Sequence, residues 1–161
     1  MPTTAGDSRF AGHVPAANAP AVQRLIDAGA VIFGRSNAPK SAGDWQSYNE
    51  LYGTTNNPWD LSRTPGGSSG GAAAALAAGL TALELGSDFG GSLRLPAHFT
   101  GVCGHRPTYG LVPYRGHIPP PPGVHVTPEM AVIGPMARSA DDLALALRLL
   151  AAGPPMEDGA D

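Results

Sequence analysis

With 161 residues, the chain is long enough for one domain with a buried core. Its 42% apolar content is ordinary for a globular protein, but charged residues reach only 14%, which leaves part of its surface suited to burial against further protein. A net charge of -3 with no Lys/Arg run excludes an electrostatic footprint for nucleic acid; the single cysteine, Cys103, excludes an internal disulfide; and no apolar run is long enough to span a bilayer.

Residues 1–18 carry turn chemistry (Pro2, Gly6, Gly12, Pro15), no period and no signal-peptide profile, so a cytoplasmic protein is expected. From Ala19 a helix is predicted: Pro20 suits its first turn, Val22, Leu25 and Ile26 form one apolar stripe, and Gly29 ends it. Residues 30–33 then read as a short buried strand closed by Gly34, making a helix–turn–strand unit of a sheet covered by helices. Residues 35–65 show no regular pattern, and an irregular stretch of that length in a compact domain points to site-building. A small-residue helix over 72–78, ended by Gly79, a buried strand over 80–85 and a glycine-rich turn over 86–92 follow. Short strands are predicted over 109–112 and 131–133, with a polyproline-type surface stretch at 119–122 flanked by His117 and His125 as solvated loop residues. In the last helix Ser139 is the cap, Asp141 and Asp142 favour the N-terminal dipole, and Leu143, Leu145, Leu147, Leu149 and Leu150 supply apolar contacts. The whole reads as an α/β fold, with residues 1–153 the central part of one domain and 154–161 an acidic tail or truncated end.

Two Gly-Ser clusters hold the candidate chemistry: PGGSSGG at residues 65–71 and GSDFGGSLRLP at residues 86–96. Glycine lets backbone come close to a ligand. Ser92 directly follows Gly90 and Gly91 at a turn, where consecutive N–H groups can converge on an anion, as acyl transfer to a serine requires. Either cluster taken alone reads as a structural turn; their combination changes that weighing.

The pair resembles the amidase signature family, which is recognised by a GGSSGG segment followed at fixed spacing by G-[ST]-D-x-GGS-[IL]-R-x-P. The flanks agree: DAGAVIFGRSN from Asp27, NNPWD from Asn56, GVCGHRPTYGLVP from Gly101 and IGPMARSADD from Ile133. The resemblance therefore runs from about Pro2 to about Gly153. It implies a mixed β-sheet core covered by helices, here as a partial domain, and a serine hydrolase of carbon–nitrogen amide bonds that uses no cofactor or metal. Carried over residue by residue, it makes Ser92 the nucleophile and Ser68 the serine that sits on a cis peptide bond and shuttles the proton. Backbone N–H groups of Phe89, Gly90, Gly91 and Ser92 become the oxyanion donors, Asp88 and Arg94 a structural ion pair, and Ser69 a backbone support.

One feature departs from the pattern. In the family a buried neutral lysine deprotonates the bridging serine, from an apolar strand that precedes a PTTAG-like segment. That segment begins here at Pro2, so the expectation is an incomplete chain without this lysine. Lys40, the sole lysine, stands where family members commonly carry an acidic residue and reads as a solvated loop residue. Two other readings stay open: a truncated, non-catalytic chain that binds through exposed apolar surface, and a protein like an amidotransferase subunit that releases ammonia for a partner. The stretch GHIPPPPGVHVTPEM ranks the latter below a stand-alone amidase. Expected partners are a small-molecule amide and, through open sheet edges, further copies of the chain, with no nucleic acid and no membrane. His98, Cys103 and His105 fit no standard zinc spacing, and GGSSG from Gly66 lacks the apolar strand that a G-x-S-x-G nucleophile elbow needs.

Overall fold

The computed structural model describes residues 1–119 and 128–151. The first helix, α1 (Pro20–Asp27), starts on Pro20 and buries Ala21 and Leu25. It ends as the sequence predicts: Gly29 takes a φ of +93° and donates to the Ile26 carbonyl, while Ala30 donates to Leu25. Those two bonds satisfy carbonyls that the last helical turn leaves open.

Residues 35–65 are mostly irregular, as expected, apart from a 3-10 turn at Lys40–Ala42 and a two-residue hairpin of β1 (Tyr48–Asn49) and β2 (Gly53–Thr54). Two asparagines organise this stretch. Asn49 Nδ2 donates to Asn37 Oδ1 at 2.6 Å and to the Ala38 carbonyl at 2.8 Å, while its own Oδ1 accepts from the Leu51 and Tyr52 N–H groups. Asn37 Nδ2 in turn reaches the Gly53 carbonyl and Thr55 Oγ1.

The helix α2 (Gly70–Ala77) opens on two glycines, which propensity alone disfavours by about 1 kcal/mol each against alanine. Close approach explains them. A Cβ on Gly71 would stand 2.3 Å from the Asn37 carbonyl oxygen, and one on Gly70 would stand 2.2 Å from Ser47 Oγ. Small residues on α2 thus let the irregular stretch lie directly against the helix.

The central sheet has the order β3 (Leu83–Asp88), β5 (Val132–Ala137), β4 (Cys103–Gly104), with both pairings antiparallel. Every residue of β5 is buried, and its alternation divides the core. Met136 meets Ala72, Ala73 and Leu76 of α2 together with Leu93 and Ala97, the latter on α3 (Arg94–Thr100). Ile133 faces the other way, onto Ala21 and Leu25 of α1, Val112, and Leu150 of α4 (Ala140–Ala151). Helices therefore cover both faces of the sheet, the helix-covered arrangement that the sequence implies. In α4 the N-terminal cap is the expected one: Asp142 N–H donates to Ser139 Oγ at 3.1 Å, and that hydroxyl donates to the Asp142 carboxylate at 2.7 Å.

Three expected strands are corrected. Residues 30–33 form no strand: Val31 is 84% exposed and Phe33 73%, and this backbone has no ladder partner among the described residues. An apolar run satisfies the pattern for a strand, but a strand exists only when a second one accepts its hydrogen bonds. The strand predicted over 80–85 is β3, shifted to Leu83–Asp88, because Gly79 and Leu80 still belong to the end of α2 through bonds to the Leu76 and Ala75 carbonyls. Residues 109–112 make a turn at Gly110, whose φ is +79°. The strand predicted over 131–133 is β5, which starts one residue later at Val132 and runs on to Ala137. The polyproline stretch beyond Pro119, His125 and the acidic tail at 154–161 lie outside the described residues.

Candidate active site

The two Gly-Ser clusters meet. Ser69 donates its backbone N–H to the Ser92 carbonyl at 3.1 Å. The Ser69 hydroxyl brackets Ser87, accepting from its N–H and donating to its carbonyl, both at 3.3 Å. The N–H and C=O of one strand residue point to the same edge, so Ser69 occupies a place on the edge of β3 where a neighbouring strand would bond. A Cβ on Gly86 would lie 2.5 Å from Ser69 Oγ, which shows how closely the first cluster is pressed onto the strand.

Ser68 and Ser92 are also buried, at 3% and 7% exposure, yet neither hydroxyl is engaged by a hydrogen bond within the described residues. The Gly67–Ser68 peptide bond is cis. Its setting is crowded: a Cβ on Gly67 would lie 2.6 Å from the Asp44 carbonyl oxygen, and Ser47 Oγ donates to the Gly66 carbonyl at 3.0 Å. Two of the three serines singled out in the sequence thus carry uncommitted hydroxyls, and the third is tied to backbone.

Asp88 organises the turn that follows β3. Its carboxylate is fully buried and accepts from the N–H of Gly91 at 2.9 Å and of Leu93 at 3.1 Å. Arg94 forms a two-pronged pair with it, Nε at 3.0 Å and Nη2 at 2.9 Å. Burial alone would raise the Asp88 pKa, but the Arg94 guanidinium and the Gly91 and Leu93 N–H groups outweigh it and hold the group below the ordinary value. A second cation, Arg106, stands 3.5 Å away. The bond from Gly91 bears on the expected oxyanion donors: its N–H is committed to Asp88. Phe89, Gly90 and Ser92 retain N–H groups with no acceptor among the described residues.

The start of α3 depends on the same carboxylate, since Leu93 and Arg94 are the residues at its N-terminus. Its other end is held by the irregular stretch. Asn57 Nδ2 donates to the Phe99 carbonyl at 3.0 Å and Trp59 Nε1 to the Thr100 carbonyl at 2.7 Å.

A family model described as Amidase matches residues 1–160. The chain belongs to the amidase signature family. It is 49% identical over 155 residues to a glutamyl-tRNA(Gln) amidotransferase subunit of Deinococcus deserti, a match covering 96% of this chain and 31% of the relative. Against the protein of the same name from Methanosarcina acetivorans, identity is 43% over 151 residues, covering 94% and 30%. Among solved structures, the like-named glutamyl-tRNA(Gln) amidotransferase subunit from Thermotoga maritima matches with a TM-score of 0.87 at 35% identity, covering 99% of this chain and 34% of that one. The native peptide amidase from Stenotrophomonas maltophilia matches with a TM-score of 0.83 at 35% identity, covering 96% and 31%. This amidase signature chain therefore spans about one third of the length of the relatives it matches.

Lys40 of this amidase signature chain is exposed on the 3-10 turn beside Asp7, where Ser41 bonds the Ala5 carbonyl and the Asp7 carboxylate. His117 departs from its expected place in solvent. Its ring packs edge-on against Tyr114 at 5.1 Å between centroids, and its Nε2 is sealed from solvent with no partner among the described residues. Sequence reasoning gives no role to Ser47, Asn37, Asn49 or Arg106. Asn37 and Arg106 left a trace only as members of the DAGAVIFGRSN and GVCGHRPTYGLVP flanks of the match. Among the described residues no helix is long and apolar enough to cross a membrane.

Proposed function

We propose that this chain carries the serine machinery of an amide hydrolase, with Ser92 as nucleophile and Ser68 as the proton relay. The observation that carries the reading is the junction of the two clusters: the Ser69–Ser92 backbone bond sets two largely buried serines with uncommitted hydroxyls on adjoining segments. Ser92 Oγ attacks the amide carbonyl while its proton passes to Ser68, and the resulting oxyanion is met by the N–H groups of Phe89, Gly90 and Ser92. The relayed proton is then delivered through Ser68 to the amide nitrogen as the C–N bond breaks, the amine or ammonia leaves, and water attacks the acyl-enzyme to give the acid and restore the Ser92 hydroxyl. The base that takes the proton from Ser68 is the lysine that the family resemblance places on an upstream strand. Lys40, on its exposed turn next to Asp7, is not assigned that role.

Reaction with a fluorophosphonate tests this. Protein that includes the upstream lysine is expected to be labelled at Ser92 and its Ser92→Ala variant left unlabelled. Folded protein with that lysine that stays unmodified would sink the reading and favour a binding role without catalysis.

A second reading is an amidotransferase subunit that releases ammonia for a partner enzyme. The names of the relatives from Deinococcus deserti and Methanosarcina acetivorans favour it. Ammonia release from a simple primary amide, measured for the protein alone and with a partner enzyme added, separates the two: release that rises with the partner favours the subunit reading. Further copies of the chain remain proposed partners, through the exposed segment 31–33.

A further inference from the structure

Asp88 is one carboxylate facing two guanidiniums, and the two are not equivalent. Arg94 lies within the motif and is 57% exposed; Arg106 comes from the segment after β4 and is 29% exposed. Arg106 Nε stands 3.5 Å from Asp88 Oδ1, the same oxygen that accepts the Gly91 N–H. Its Nη2 donates to the Met130 carbonyl at 2.8 Å. Met130 lies two residues before Val132, the β5 residue that pairs with Asp88. One side chain therefore holds both sides of the same sheet corner: the carboxylate that organises the glycine turn, and the chain entering the strand opposite it. The cluster carries one positive charge in excess beneath the turn, in a setting where Asp88 is fully buried.

We propose that Arg106 is a positioning residue for the Ser92 turn, keeping Asp88 engaged with the Gly91 and Leu93 N–H groups by fastening it to the Met130 carbonyl. This rests on the reading of Ser92 as nucleophile. The physical reason is that the hydrogen bond to Met130 fixes where the Arg106 charge stands, and from 3.5 Å that charge attracts Asp88 Oδ1 from a second side while Arg94 holds it from the first. Without Arg106, Asp88 still meets Arg94, but Arg94 leaves by a solvent-exposed side chain and belongs to the element being positioned.

The test uses Arg106→Met and Arg106→Lys in protein that includes the upstream lysine, with exposed Arg115→Met as control. Residue-resolved amide hydrogen exchange is read at Gly91 and Leu93, with α2 as internal reference, alongside the rate of fluorophosphonate labelling at Ser92. Arg106→Met is expected to speed exchange at Gly91 and Leu93 about tenfold and slow labelling about tenfold, leaving α2 unchanged. Arg106→Lys, whose ammonium keeps the charge but cannot bridge both acceptors, is expected to recover to within about threefold. Unchanged exchange at Gly91 and Leu93 in Arg106→Met overturns the proposal, and so does an Arg106→Lys variant that exchanges as slowly as the unsubstituted protein. If the unsubstituted protein is not labelled, the Ser92 reading falls, and the exchange measurement alone decides whether Arg106 holds the turn. If Arg106→Met does not fold, the Lys variant decides: a rise of about threefold supports the bridge, and no rise overturns it.

Discussion

Ser69 bonds Ser92 through backbone and Ser87 through its hydroxyl, so a single residue joins the cluster before α2 to the turn after β3. Ser68, its immediate neighbour, is also a buried residue, but its hydroxyl has no such duty. Removing the Ser69 hydroxyl leaves the Ser87 N–H without its acceptor on the edge of β3, at a cost of about 1–3 kcal/mol. Ser69→Ala is therefore expected to lower the urea midpoint clearly, while Ser68→Ala shifts it by less than about 1 kcal/mol equivalent. Paired denaturation curves check the difference, and equal shifts would remove the distinction between the two serines.

Gly71 gives a prediction against helix propensity. Alanine is favoured over glycine in a helix by about 1 kcal/mol, but a Cβ here would stand 2.3 Å from the Asn37 carbonyl oxygen. The neighbour is backbone, anchored by the Asn37–Asn49 bond, and cannot rotate away. Gly71→Ala should destabilise by more than about 2 kcal/mol. Stabilisation in chemical denaturation would show that the irregular stretch gives way.

Asp88 makes the fold acid-sensitive. Its folded-state pKa is depressed, so the unfolded chain binds the proton more readily. The stabilisation is complete above the ordinary carboxylate pKa and is lost as pH falls through the folded-state value. Stability measured from pH 5 downward should decline, and Asp88→Asn should flatten its share of that decline. The substitution should itself cost about 3–5 kcal/mol, because it strands two guanidiniums over a buried site.

His117 predicts a second pH window that opens at higher pH. Burial first, and the Arg35 charge second, push its pKa down to about 4 from 6.5. The neutral ring is the folded form, so its stabilisation is full above 6.5 and is lost as pH falls toward 4. The slope cannot exceed about 1.4 kcal/mol per pH unit for one proton. His117→Phe, which keeps the edge-on contact with Tyr114 and removes the titration, should flatten stability between pH 6.5 and 4. An unaltered slope would place the titration elsewhere.

Residues 31–33 present Val31 at 84% and Phe33 at 73% exposure without a ladder partner among the described residues. Open apolar backbone of this kind pairs with other chains. Sedimentation should show concentration-dependent association, and Phe33→Glu should reduce it. A monodisperse monomer at high concentration would show that the segment does not pair with copies of itself.

Much of the local structure is legible in the residues. Pro20 and Gly29 bound α1, Ser139 caps α4, and FGGS at 89–92 marks the turn after β3, because each of these depends on the conformation of a few neighbouring residues, whereas Gly86, Ser87 and Asp88, read as part of that turn, end the strand. The same reasoning fails at residues 30–33. Their apolar run is indistinguishable from a strand until the chain is folded and no partner is found beside it. It also fails at His117, whose burial comes from Tyr114 and whose electrostatic neighbour is the distant Arg35.

By itself, then, the sequence determined the family, the serines and the glycine turns, since a motif records chemistry that a short stretch of backbone can express alone. Only the tertiary structure decided which serine hydroxyls are uncommitted, that Gly91 donates to Asp88, and that Arg106 closes the cluster. These are contacts between segments brought together by packing. Hydrogen-bond partners and desolvation depend on what lies across the fold, and no local pattern of residues carries that information.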